Sequence, residues 1–200
     1  MYKYFWKVYD KYGFCSQWYQ SPFIEDGIKY ETAEHYMMYH KAKLFDDQEA
    51  MKQILQERSP AKVKQIGRQI KNFSEEKWAE QRESIVMQGN HLKFIQNPDL
   101  RKELLKEKFA TFVEASPNDR VWGIGFTAAT ALKNKHLWGL NLLGKVLTTI
   151  RDDLYKDSLA NLSDETFSQS SLETDSDDFS ENSSENSLVS PVDEPPAYIA

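Results

Sequence analysis

The sequence predicts an α+β fold, predominantly helical, in which one compact domain carries a few short strands and a disordered acidic C-terminal tail follows. Three observations predict it. Helix starts recur through the middle of the chain, at Thr32, Asp47, Ser59-Pro60, Ser74 and Asn97-Pro98. Extended, aromatic-rich segments lie near residues 3–9, 23–30 and 109–115. Beyond about Asn161 the chain turns to Ser, Asp, Glu and Asn, with apolar residues too sparse to offset the entropy of ordering them.

The elements follow in order. Glu25-Asp26-Gly27 joins Phe23-Ile24 to Ile28-Lys29-Tyr30 as a hairpin. Thr32 caps a first helix, with Glu34 in its first turn. A second helix runs from Asp47 to Glu57. Ser59-Pro60 opens a third, reaching about Gln69, because proline at the first helical position has no amide to leave unpaired. Ser74-Glu75-Glu76 starts a long fourth helix bearing Trp78, Ile85, Val86, His91 and Leu92. Asn97-Pro98 closes it and begins a fifth, with Leu100, Leu104 and Leu105 as its core side. Phe109–Ala115 reads as a strand and Trp122–Phe126 as a second short one. A last helix from about Leu140 to Tyr155 buries Leu143, Val146, Leu147 and Ile150. No internal repeat is present.

The chain has 200 residues, 40% of them hydrophobic and 13% aromatic, enough for one core and an extension. Its single cysteine, Cys15, excludes an intrachain disulfide and argues against a cysteine-rich metal site. Lys3, Lys7, Asp10 and Lys11 interrupt the N-terminal aromatic run, so no signal peptide is expected, and no apolar run is long enough to span a bilayer. The simplest compartment is the cytosol, with the nucleus as the alternative. The net charge of −6 hides an uneven distribution. Residues 161–200 hold ten acids and no Lys or Arg, which leaves the body at +4. That mild basicity suits a phosphate-bearing ligand without being a nucleic-acid signature. In the tail, Ser163-Asp164-Glu165 and Ser176-Asp177-Asp178 fit an acid-directed kinase, and Pro195-Pro196-Ala197-Tyr198 fits the PPxY motif read by WW domains. A plain solubilising tail is the competing reading.

Candidate chemistry begins on the first helix. Glu34 and Lys41 are seven positions apart, about two turns, so they point the same way with about 10 Å of axial rise between them. That span suits a small sugar held between an acid and an amine. A solvated ion pair is the simpler reading of the segment alone. Phe14-Cys15-Ser16-Gln17-Trp18-Tyr19 is aromatic with a polar centre, suited to stacking on a flat heterocycle while Ser16 and its neighbours read the edge. Gly67-Arg68 offers a guanidinium for phosphate. Asp119, before Trp122-Gly123-Ile124-Gly125, is a second carboxylate, although an Asx turn is the commoner role there.

Together these blocks resemble the NADAR, or YbiA-like, family of N-glycosidases. The matching runs are Phe14–Tyr19, Tyr30–Tyr36 with Lys41-Ala42, Ala61-Lys62 with Gly67-Arg68, and Trp78 with Arg82 and Met87. Lys93–Asn97, Val113–Ser116 with Asp119, Trp122–Gly125, Gly139–Gly144 and Arg151 complete the set. The resemblance spans about Phe14 to Leu154 and implies a single YbiA-like domain over residues 1–156, with the tail at 157–200.

The resemblance implies hydrolysis of a C–N bond between ribose and a base-like group. The substrates it implies are phosphoribosylamine intermediates of riboflavin biosynthesis or, alternatively, ADP-ribosylated guanine in nucleic acid. A non-catalytic ADP-ribose-binding module with a WW-recruiting tail is the third reading. By position the resemblance makes Glu34, Lys41 and Asp119 catalytic. Ser16, Trp18, Trp78, Arg68, Trp122 and Asn141 become substrate-binding, with Lys62 a further phosphate or ribose contact. Lys41 matches a lysine thought to form a Schiff base with opened ribose, and Lys93 is the alternative. Arg151 stands as either a family residue or a surface charge. No metal or cofactor is expected. The chain departs from the family at Gln17, where Asn is usual, and at Trp18, where Phe is usual. Both enlarge the segment assigned to the base.

Overall fold

The computed structural model describes the backbone of residues 1–170 and the side chains of residues 1–160. The chain divides into two units, Met1–Ala160 and Asn161–Ala200. The tail motifs at Ser176 and Pro195–Tyr198 lie outside the described residues, as do the side chains at Ser163-Asp164-Glu165.

The first unit is built from β1 (Tyr2–Phe5), a 3₁₀ turn (Gly13–Cys15), β2 (Phe23–Glu25), β3 (Ile28–Tyr30) and five helices: α1 (Ala33–Leu44), α2 (Gln48–Gln56), α3 (Pro60–Gly67), α4 (Glu75–Gln96) and α5 (Pro98–Leu105). Then come β4 (Thr111–Glu114), a short α6 (Ala128–Ala131) running into a 3₁₀ stretch (Leu132–Leu137), and α7 (Leu142–Ser170). The α+β, mainly helical class read from the sequence is the class observed.

Three of the five helix starts are held by the side chains that predicted them, while Ser59 and Asn97 make no side-chain cap. Thr32 accepts from the His35 amide, Asp47 from Ala50 and Ser74 from Lys77. The β2–β3 hairpin turns on Asp26 and Gly27, both at positive φ, as a two-residue hairpin with right-handed strand twist requires. Its Glu25 is then gripped by Tyr36 Oη (2.9 Å) on α1 and Gln88 Nε2 (3.1 Å) on α4.

Helix α1 is the hub. It is buried on nearly every side, from Ala33 through Tyr39 and again at Ala42, because α2, α3 and α4 all pack against it. The α4 contact is close: a Cβ at Gly89 would sit 2.4 Å from the Tyr36 ring. Strands β1 and β4 run parallel, Tyr2 beside Thr111 through Phe5 beside Glu114. Phe112 on one face of β4 joins the main core with Phe5, Phe94, Leu143, Leu147 and Ile150, while Val113 on the other joins Ile124 and Ala131.

Four local expectations fail. The N-terminal extended segment stops at Phe5, and the chain turns at Lys7–Asp10, with Asp10 N donating to Lys7 O at 3.0 Å. Trp122–Phe126 is not a strand. Gly125 sits at φ +75°, and Trp122 is turned by the Asp119 side chain, so the segment bends along the end of β4 with Ile124 N donating to Glu114 O at 3.0 Å. The last helix begins at Leu142, since Asn141 at φ +52° cannot belong to it. The same helix continues past Tyr155 to Ser170, where Ser158 Oγ donates to Leu154 O and accepts from Arg101.

Candidate active site

Parallel strands β1 and β4 end at the same side of the domain, and the chain leaving each strand opens a cavity of about 690 Å³ against α1, α3 and α4. That volume lies inside the range of small-ligand sites, about 300–1,000 Å³.

Each wall is set by helical spacing or by a strand end. Helix α1 contributes Glu34, Met37, Met38 and Lys41, one stripe two turns long. Helix α3 contributes Lys64, Gly67 and, as its C-cap, Arg68, and α4 contributes Glu75, Trp78 and Arg82. The opposite wall is Glu114 at the tip of β4, Ser116, and the loop from Asn118 to Trp122. Ser16, Gln17 and Trp18 close one end, and Trp6–Tyr9, just after β1, line it as well.

The Ser16–Trp18 loop is anchored from beneath. Lys93, fully buried on α4, donates to the carbonyls of Phe14 (2.7 Å) and Ser16 (3.1 Å). Asn90 Nδ2 donates to Gln17 Oε1 at 2.9 Å, and the Gln17 carbonyl accepts from the Glu34 amide at 3.0 Å. The loop thus registers directly on the first turn of α1.

Glu34 is 2% exposed, and its Oε1 has no hydrogen-bond partner. Burial pushes its carboxyl up to about 7; Lys64, the Trp18 side chain and Arg68 oppose this, and Asp119 adds to it. Lys41 Nζ donates to Gly67 O at 2.8 Å and lies over the rings of Phe73 (4.2 Å) and Trp78 (5.6 Å). Burial, assisted by Arg68, lowers its pKa, while Glu75 and Glu34 resist. Asp119 Oδ1 accepts from the amides of Val121 (2.9 Å) and Trp122 (2.8 Å). It is therefore an Asx turn and a cavity carboxylate at once.

Of the residues singled out in the sequence, Glu34, Lys41, Asp119, Ser16, Trp18, Trp78, Arg68 and Trp122 all border this cavity. Asn141 does not. It is buried, and its amide bridges Glu114 N (3.0 Å) and Phe112 O (3.1 Å), tying β4 to the start of α7. Lys62 faces Glu57 instead of the cavity, and Lys93 serves the loop from below. Arg151 is buried, not a surface charge; it reaches Asp152 and the Glu107 carbonyl.

Six charged lining residues were not read as site residues: Lys7, Lys64, Glu75, Arg82, Glu114 and Arg120. The spacing of Glu75, Trp78 and Arg82 at i, i+3 and i+7 was a usable signal for two of them. Among the described residues no three or more His, Cys, Asp or Glu form a metal-ligand set, and no helix is long and apolar enough to cross a membrane.

A model of the NADAR domain family matches residues 4–155, which includes every lining residue of the cavity. The chain belongs to the NADAR family. An N-glycosidase of Acanthamoeba polyphaga mimivirus is 46% identical over 145 residues, 69% of this chain and 85% of that one. The irg-1 protein of Caenorhabditis elegans is 34% identical over 151 residues, covering 74% and 71%. N-glycosidase YbiA of Escherichia coli is 30% identical over 150 residues, covering 75% and 86%. The solution structure of E. coli YbiA matches with a TM-score of 0.66 at 29% identity, covering 79% of this chain and 87% of that one. The NADAR fold is thus shared along with the sequence blocks.

Proposed function

We propose that this protein is an N-glycosidase that hydrolyses the bond between ribose and a base-like heterocycle, with phosphoribosylamine intermediates of riboflavin biosynthesis as its substrate class. Membership of the NADAR family and the relatives named N-glycosidases support the reaction class. The observation that carries the residue assignments is the convergence of Glu34, Lys41 and Asp119 on one cavity walled by Trp18, Trp78 and Trp122.

The chemistry follows from those groups. Breaking the C1′–N bond leaves positive charge on the anomeric carbon, which a nearby carboxylate stabilises. The same carboxylate pair, Glu34 and Asp119, can accept a proton from attacking water. Lys41 adds a covalent route. Burial enlarges its neutral fraction, so its amine can form a Schiff base with C1′ of the opened ribose, expelling water, with Glu34 two turns away on the same helical face to shuttle protons. The indoles suit a planar leaving group. Lys64 and Arg68 suit the phosphate.

ADP-ribosylated guanine is the second reading. It is favoured by the room in a 690 Å³ cavity and by a further pair of lining cations, Lys7 and Arg120.

A substrate panel tests both. Purified protein is offered phosphoribosylamines and ADP-ribosyl-guanine substrates, with Glu34→Ala and Lys41→Ala alongside. Turnover of one class, lost in both variants, is expected. Equal activity in wild type and variants refutes the residue assignments. Borohydride trapping during turnover separates the routes: an adduct on Lys41 marks the Schiff base, and none marks direct water attack.

A further inference from the structure

We propose that Glu114 is a third working carboxyl of this site, the one that delivers a proton to the departing nitrogen, leaving Glu34 and Asp119 to act as carboxylates. The inference rests on the N-glycosidase reading and deepens it. Glu114 is the last residue of β4, and its side chain borders the cavity across from α1. Its Oε2 is sealed from solvent and has no hydrogen-bond partner, although the backbone around it is fully committed: its amide donates to Asn141 and its carbonyl accepts from Ile124. Glu114 is half-buried, and a carboxyl oxygen shielded from water with no partner is costly unless the group stays neutral or meets a ligand.

The surroundings decide which carboxyl holds the proton. Glu34 is favoured as an anion by two cations, Lys64 and Arg68, and by the Trp18 side chain, against two acidic neighbours, Asp119 and Glu114. Glu114 faces two acids, Asp119 and Glu34, with Lys64 alone on the other side. Glu34 and Glu114 share one cavity wall-to-wall, and of the two the one with fewer cations beside it keeps its proton to higher pH. Burial, Asp119 and Glu34 accordingly push Glu114 up to about 8, with Lys64 opposing.

The step balances simply. The C1′–N bond breaks with its electron pair going to nitrogen, and the Glu114 carboxyl proton goes to that nitrogen. Water supplies hydroxide to C1′ and its remaining proton to Asp119 or Glu34. Proton exchange through the open cavity then restores Glu114.

Glu114→Gln keeps the shape and every backbone hydrogen bond. It is compared with wild type on two substrates, after matched thermal melts establish that both are folded. One is a phosphoribosylamine with an aminopyrimidine leaving group, which departs poorly without a proton. The other is para-nitrophenyl ribofuranoside phosphate, whose phenolate departs unaided. The expected result is a loss of about a hundredfold or more on the first and less than about tenfold on the second. In wild type, kcat/KM on the first substrate falls as pH rises through the weakly alkaline range, and the variant lacks that limb. Equal losses on the two substrates, or wild-type rates on both, overturn the proposal. A wild-type protein that cleaves neither removes the N-glycosidase reading itself, and any role for Glu114 with it.

Discussion

The two walls of the cavity are built differently. The helical wall is local in sequence. Glu34 and Lys41 lie on one helix, Lys64 and Arg68 on the next but one, and each pair is aligned by a helical repeat. The strand-end wall is assembled from segments far apart: β1 and β4 are over a hundred residues from each other, and Asn141 at the start of α7 fixes the register of Glu114. A wall set by local periodicity tolerates side-chain change. A wall set by long-range backbone pairing depends on a few buried polar residues that never touch the ligand.

The largest expected effect breaks the chemistry of the helical wall and spares its structure. Glu34→Gln lowers kcat by about a hundredfold to ten-thousandfold. Stability at neutral pH is unchanged or higher, because the variant replaces a buried carboxyl whose Oε1 has no partner. Steady-state kinetics with a thermal melt check both halves.

Buried Lys93 and half-buried Lys41 sharpen the contrast. Lys93→Met leaves the Phe14 and Ser16 carbonyls without their donor and destabilises the fold by about 1–3 kcal/mol for each, which urea denaturation measures. Lys41→Met removes the donor to one carbonyl, Gly67, so it costs about 1–3 kcal/mol, less than Lys93→Met, and it abolishes any borohydride adduct.

Stability also depends on pH through Glu34. Its carboxyl lies near 4.5 in the unfolded chain and about 7 in the folded one, so the native state binds more protons between those values. Stability therefore declines as pH rises from about 4.5 to about 7. Glu34→Gln flattens that decline, and denaturant titrations across this window measure the difference. The smallest effect lies outside both walls. Gly27→Ala costs about 1 kcal/mol, because its φ of +77° disfavours a Cβ although nothing crowds it, and activity is unaffected.

The same distinction explains what the sequence disclosed. Helix starts at Thr32, Asp47 and Ser74 and the Asp26-Gly27 hairpin are local signals, and they were legible. Glu34 and Lys41 were legible as a pair because one helix carries both. Glu114 was not, since a strand-end glutamate has no spacing to distinguish it from a surface charge. Only the pairing of β4 with β1 and its tie to Asn141 bring it to the cavity. Asn141 was misread for the same reason: a buried amide that holds two backbone groups has the composition of a ligand contact. Trp122–Phe126 alternates like a strand, but Gly125 and the Asp119 turn override the pattern.

The most direct test of the central claim is a crystal structure of Glu34→Gln with a phosphoribosylamine bound. Here the anomeric carbon is expected between position 34 and Asp119, within reach of Lys41, with the heterocycle against the tryptophans. A ribose seated away from those three groups, or a ligand bound outside this cavity, would contradict it.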